Sequence, residues 1–178
     1  MKLNIKEVED SLGIKIKRNF YSVGIDTAQV SGIVFLKSDD KEIRIDELVL
    51  NFKTANSKEI YTSMVKTFER IFEEGQVAVI EEVFVGFSRA GSVELAKYGS
   101  FAISACIRKG IPYETISAVS ARSKFKIDTR SAGKGNTKVA VGNWIKQNLK
   151  LSYDDNNIND ALILALLGII EGQDFRSQ

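Results

Sequence analysis

From Phe20 onward, three apolar segments follow one another with no room for a helix between them, and after them apolar and helical segments alternate. That order constrains the fold more than any other feature of the chain. Phe20 to Asp26 is short and apolar and ends in Asp-Thr. Gly32 to Lys37 is β-branched and apolar and runs into the polar turn Asp39-Asp40-Lys41, and Glu42 to Phe52 alternates Ile43, Ile45, Leu48 and Leu50 imperfectly. These spacings predict three strands, the second and third forming an antiparallel pair. Ser57 to Glu74 carries Ile60, Met64, Val65, Phe68, Ile71 and Phe72 at helical spacing, with Ser57 or Asn56 as cap and Gly75 as stop. Val77 to Val85 reads as a buried strand, Ser92 to Lys109 as a helix ended by Gly110 and Pro112, and Tyr113 to Val119 as a further strand. A basic loop then leads into helices over Asn136–Leu149 and roughly Asn157–Glu171. The order β-β-β-α-β-α-β-α-α predicts an α/β domain with a mixed sheet, hairpin strands first and helical crossovers after them.

Residues 1–19 are polar and weakly periodic. Leu3, Ile5, Val8 and Leu12 permit a short helix, and the segment is expected to be an N-terminal extension. No repeat, low-complexity tract or linker divides the 178 residues, so one domain is expected. The longest apolar run, Ala161 to Ile170, is about half a membrane span. Lys2, Lys6, Glu7, Glu9 and Asp10 interrupt any signal-peptide core, so no membrane association is expected.

The chain contains no histidine and one cysteine, Cys106. Ser-His-Asp and Cys-His catalysis are therefore excluded, as are zinc sites built on histidine or several cysteines. A single cysteine permits no internal disulfide, which predicts an intracellular protein. Chemistry has to run on carboxylates, lysines, hydroxyls or oxygen-bound metals.

The formal net charge of +2 hides a strong asymmetry. Residues 120–150 hold Arg122, Lys124, Lys126, Arg130, Lys134, Lys138, Lys146 and Lys150 against Asp128 alone, a net +7, and residues 151–178 carry a net −4. A basic face can be merely solvated, but here the bases are interleaved with Ser131, Gly133, Gly135 and Thr137, which suits a loop that contacts phosphates.

Three acids stand where propensity and burial do not favour them: Asp26 at the end of the first strand, Glu81 inside an apolar strand, and Asp160 at the start of the apolar part of the last helix. Singly, a turn, a solvent-facing strand position and the helix dipole explain them. Together they read differently. The carboxyl ends of parallel strands gather at one sheet edge, and a helix packed across that edge brings Asp160 to Asp26 and Glu81. Converging carboxylates repel unless a cation lies between them, and an all-oxygen site selects Mg²⁺ or Mn²⁺. Such ions support phosphoryl displacement, and the basic segment would hold a polyanionic substrate.

Gly24-Ile25-Asp26, Ile80-Glu81-Glu82-Val83-Phe84 and Asn159-Asp160-Ala161-Leu162 resemble the three acidic motifs of RuvC-type Holliday junction resolvases, members of the ribonuclease H-like superfamily. The resemblance covers about residues 20–172, the nuclease domain it implies, with 173–178 left as a tail. It implies a ribonuclease H-like fold with a five-stranded mixed sheet flanked by helices, and a Mg²⁺-dependent endonuclease, with Mn²⁺ as substitute, that cuts branched DNA as a homodimer. Asp26, Glu81 and Asp160 match metal ligands, Phe84 an aromatic that stacks on bases, and Lys138 a lysine near the scissile phosphate. A second lysine falls on Lys124 or Lys126. The bases Arg122, Lys124, Lys126, Arg130, Lys134 and Lys138 are expected to contact DNA. The family's fourth acid falls on Asn157, which is uncharged, so either Asp155 or Asn157 is the expected auxiliary ligand. Two further readings stay open: a branched-DNA-binding protein without catalysis, and a ribonuclease H-like nuclease of other specificity. Helix 92–109, rich in small residues, either forms the dimer interface or packs on the sheet.

Overall fold

Strand β2 (Phe20–Asp26) divides the apolar residues of this fold between two layers. Alternate side chains along it point to opposite faces, Val23 and Ile25 to one, Ser22, Gly24 and Asp26 to the other. The computed structural model describes residues 1–51, 56–82, 89–129, 133, 136–170 and 172. β2 pairs antiparallel with β3 (Val30–Ser38), which pairs antiparallel with β4 (Glu42–Asn51). On its other side β2 runs parallel to β5 (Gln76–Glu81), and β5 parallel to β6 (Tyr113–Ile116). The mixed sheet expected from the element order is present.

It has six strands rather than five. The sixth, β1 (Lys2–Asn4), pairs antiparallel with the outer edge of β4, giving the order β1-β4-β3-β2-β5-β6. Three residues are too few to show an alternating pattern, so this strand exists because the open β4 edge offers unpaired backbone groups. The helix α1 (Ile5–Leu12) follows, capped by the Asn4 side chain and ended at Gly13, and buries Ile5 and Val8. Met1 donates its ammonium to Ile45 O at 2.7 Å, and Lys17 N–H donates to Ile169 O at 2.8 Å. The first nineteen residues are thereby folded onto the sheet.

On the Val23 and Ile25 face lie α2 (Ser57–Ile71) and α3 (Arg89–Lys109), which bury Ile60, Met64, Phe68, Tyr98, Ala102, Ala105 and Cys106. Asn56, with Glu59, closes a capping box at the start of α2. α2 ends three residues before the expected Glu74, as Phe72 turns extended ahead of β5. Of the two roles open to α3, packing on the sheet is seen, while Val93 and Ile107 stay exposed on it.

The opposite face carries α6 (Asn156–Ile169), flanked by α4 (Ala118–Lys124) and α5 (Thr137–Leu149). α4 replaces part of the expected basic loop. It is short and polar, so its sequence shows little periodicity, and what holds it is the Ser117 cap, buried Ala121 and the Phe125 ring against Trp144, centroids 5.4 Å apart. α6 lies directly on the backbones of β2 and β3. A Cβ on Gly24 would fall well inside contact with Ala161 O and Ala165 N and 2.9 Å from Ala165 Cα, and one on Gly32 would overlap Asn157 O. Among the described residues no helix is long and apolar enough to cross a membrane.

Candidate active site

Which acids meet is decided by strand parity. Gly24 faces α6, so Asp26, two residues on, faces it too. On β5, Val79 belongs to the α6-side core and Ala78 and Ile80 to the other, so Glu81 rather than Glu82 shares Asp26's face. Ile25 and Ile80 are in register on parallel strands, which sets the two acids side by side at the carboxyl-terminal edge. Asp160 precedes Ala161, the residue that rests on Gly24, and so α6 delivers it to the same edge.

The electrostatics agree with this placement. The Asp26 carboxyl is 8% exposed and its pKa is pushed up to about 9. Burial is the main cause, followed by the hydrogen bond with the Glu81 carboxyl and the negative charges of Glu81 and Asp160. The Lys138 ammonium, on the first turn of α5, partly offsets them. Asp160 is held differently: Arg122 of α4 donates from Nη2 at 2.8 Å and from Nε at 3.2 Å, both to Asp160 Oδ1. Ala118, Ala121, Ile163 and Leu164 close the crevice around Glu81, Arg122 and Asp160.

The structure thus brings together Asp26, Glu81, Asp160, Lys138 and Arg122. Asn157 lies one helical turn before Asp160, half-buried, with its backbone over Gly32, the residue opposite Asp26 in the β2–β3 register. The Asp155 side chain is the N-cap of α6 and accepts from Asn157 N–H at 2.8 Å. Lys124 and Lys126 are exposed. Phe84, Arg130 and Lys134 lie outside the described residues, as do positions 83–85 of the expected strand. Beside the crevice runs a groove of about 440 Å³ lined by Arg122, Ser123, Lys126, Thr129 and Thr137 among others. The Arg122–Asp160 pair was not legible in the sequence. Its nearest signal is Ser117 with Ser120, which caps α4: Ser117 Oγ accepts from Ser120 N–H at 3.1 Å.

A hard divalent cation fits this donor set in kind. Asp26 and Glu81 bring oxygen ligands side by side to one edge, and the burial and neighbouring charge that hold Asp26 protonated are what a cation would offset. In place, however, the set is incomplete: among the described residues no three acidic side chains form a ready cage, and Asp160 is engaged by Arg122.

Burial of Asp26 has a measurable consequence. The unfolded chain loses this proton near the ordinary carboxylate value of 3.8, and the folded chain holds it to about 9. The unfolded state is therefore favoured progressively as pH rises between those values, and below them Asp26 has no effect. Asp26→Asn cannot ionise. It is expected to be about 2 kcal/mol more stable than the wild type near pH 8 and no more stable near pH 3.5, measured by urea unfolding in EDTA. Equal stability near pH 8 would contradict a buried, protonated Asp26.

No protein-family model matches the sequence, and no curated protein matches it. Solved structures do. The Thermus thermophilus RuvC in complex with a Holliday junction substrate aligns with a TM-score of 0.61 at 14% identity, over 83% of this chain and 91% of that one. A second Thermus thermophilus RuvC structure aligns with a TM-score of 0.57, also at 14% identity, over 83% and 92%. What the chain shares with them is the architecture, a mixed sheet flanked by helices: it has the ribonuclease H-like fold of RuvC.

Proposed function

We propose that the chain is a Mg²⁺-dependent, structure-specific DNA endonuclease that resolves Holliday junctions or other branched DNA by paired symmetric nicks. The observation that carries this reading is the placement of Asp26 and Glu81 side by side at the carboxyl edge of β2 and β5, with Asp160 brought there by α6, on a fold shared with a RuvC seen with a Holliday junction. Asp26, Glu81 and Asp160 would hold the cation. Asn157 is the better placed auxiliary, because the Asp155 carboxylate already caps α6. A bound cation would supply Lewis acidity for phosphodiester hydrolysis, with Mn²⁺ as substitute.

The chain's own side chains do the rest. Burial of Asp26 keeps bulk water from the acid pair and strengthens every charge interaction there. Lys138 is exposed at the rim yet close enough for its charge to reach Asp26, a position from which it would stabilise negative charge growing on the phosphate. Lys126 and the hydroxyls of Ser123, Thr129 and Thr137 offer the groove's contacts to the sugar-phosphate backbone. Hydrolysis adds water across the P–O bond, leaving a 3′-hydroxyl and a 5′-phosphate. Two symmetric nicks call for a twofold dimer, and exposed Val93 and Ile107 on α3 give it an apolar surface.

The test is incubation of the purified protein with a four-way junction in Mg²⁺ or in EDTA. Metal-dependent nicks placed symmetrically on opposing strands are expected, with linear duplex and an RNA–DNA hybrid cut poorly at the same salt. A second reading, junction binding without cleavage, is favoured by the engagement of Asp160 with Arg122 and by the uncharged Asn157. Tight binding with no nicks in either Mg²⁺ or Mn²⁺ would establish it.

A further inference from the structure

We propose that Arg122 is the resident counter-ion of Asp160 and that a divalent cation entering beside Asp26 and Glu81 displaces it. The inference rests on the nuclease reading above, since it takes these carboxylates as cation ligands, but its observations are separate. Nε and Nη2 of Arg122 converge on one oxygen, Asp160 Oδ1, and both side chains are only 15% exposed. Arg122 is placed by the scaffold: its helix starts on the Ser117 cap, buries Ala121 against the α6-side core, and ends at Phe125 packed on Trp144.

Even with Asp26 protonated, the acids gathered at this edge call for positive charge in the metal-free protein. Lys138 supplies some from an exposed position, and Arg122 supplies it by direct contact. Once a dication is ligated by the same acids, the guanidinium becomes a like charge in a poorly screened crevice, and the two compete for Asp160. Arg122 also has somewhere to go. It lines the neighbouring groove with Ser123, Lys126, Asp128, Thr129 and Thr137, and a planar guanidinium suits a phosphodiester as well as a carboxylate. Cation entry would thus release a DNA-binding group, making Arg122 a positioning residue that couples the metal site to the groove.

Calorimetric titration of the full chain with Mn²⁺ tests the exchange. Arg122→Gln is expected to bind Mn²⁺ about tenfold more tightly than the wild type, and Arg122→Lys, which keeps the charge, within about threefold of it. Unchanged or weaker binding by Arg122→Gln overturns the proposal. A second readout needs only the wild-type fold: the Arg122 Nε–H resonance, assigned by its loss in Arg122→Lys, should be protected without metal and lost to exchange at saturating Mg²⁺. Its persistence also overturns the proposal. Failure of the underlying reading looks different. If the wild type binds no Mn²⁺, the metal-nuclease reading falls and the exchange with it. If the wild type binds and Asp26→Asn does not, that reading stands while the Arg122 measurements decide the exchange alone.

Discussion

Asp26→Asn, Glu81→Gln and Asp160→Asn are each expected to lower junction cleavage by about 10³-fold or more while leaving junction affinity within about threefold of the wild type. The reason is the division of labour at the sheet edge. The acids at the edge cannot attract a polyanion, whereas on the proposed reading phosphate contacts come from Lys126, Lys138 and the hydroxyls of the neighbouring groove. On the proposed reading, removing one acid would therefore remove cation ligation and not DNA affinity. Double variants should lose little more than single ones, because residues that act as a unit do not contribute additively. Asp26→Asn is the most informative of the three, since it is also expected to be more stable at neutral pH, so that a dead enzyme could not be ascribed to misfolding. Asp160→Asn should differ from it in one respect: it leaves Arg122 without its carboxylate in a half-closed crevice, and a loss of about 1–2 kcal/mol is expected in urea unfolding. Cleavage that survives in all three variants would remove the assignment of these acids as the catalytic cation site.

The largest expected effect on folding is at Gly24. Gly24→Ala should cost about 3 kcal/mol or more, because the new methyl meets backbone atoms of Ala161 and Ala165 that no rotamer change can move. Either α6 lifts from β2 or the chain fails to fold. Even a small lift carries Asp160 away from Asp26, so activity should fall further than stability alone explains. Gly142→Ala is the matching control. It lies within α5, and its added carbon would meet only Asn159 Nδ2 at 3.8 Å, so the helix-propensity gain of up to about 1 kcal/mol should appear undiminished. Urea titrations of the two variants, read with cleavage rates, check the comparison. If Gly24→Ala were as stable as Gly142→Ala, α6 could not rest on the β2 backbone as described.

Much of this was legible in the order of residues. Alternation and helical spacing are local properties, so β2 to β6 and the four longer helices could be read from apolar positions that recur at the period of their own element. The three acids stood out for a related reason, each breaking a pattern that burial imposes on its neighbours. The absence of histidine confined any metal site to oxygen ligands.

Other features exist only in three dimensions. β1 is three residues long and forms because the edge of β4 would otherwise be unpaired, a fact held 40 residues away from it. α4 is fixed by burial of Ala121 and Phe125 against other helices, not by its own periodicity. That Glu81 and not Glu82 lies beside Asp26 follows from the β2–β5 register, which pairs Ile25 with Ile80, and that α6 adds Asp160 to them follows from the glycine backbones under the helix. The basic segment is the clearest case. Its net +7 pointed as a block toward a polyanion, yet one of its members, Arg122, turns inward to Asp160, 38 residues away along the chain. Sequence by itself determined the longer elements, the ligand types available and the charge available, because these depend on residue type and local spacing. Tertiary structure alone decided which charges meet, because a Coulomb interaction depends on distance in space, and only folding sets that distance.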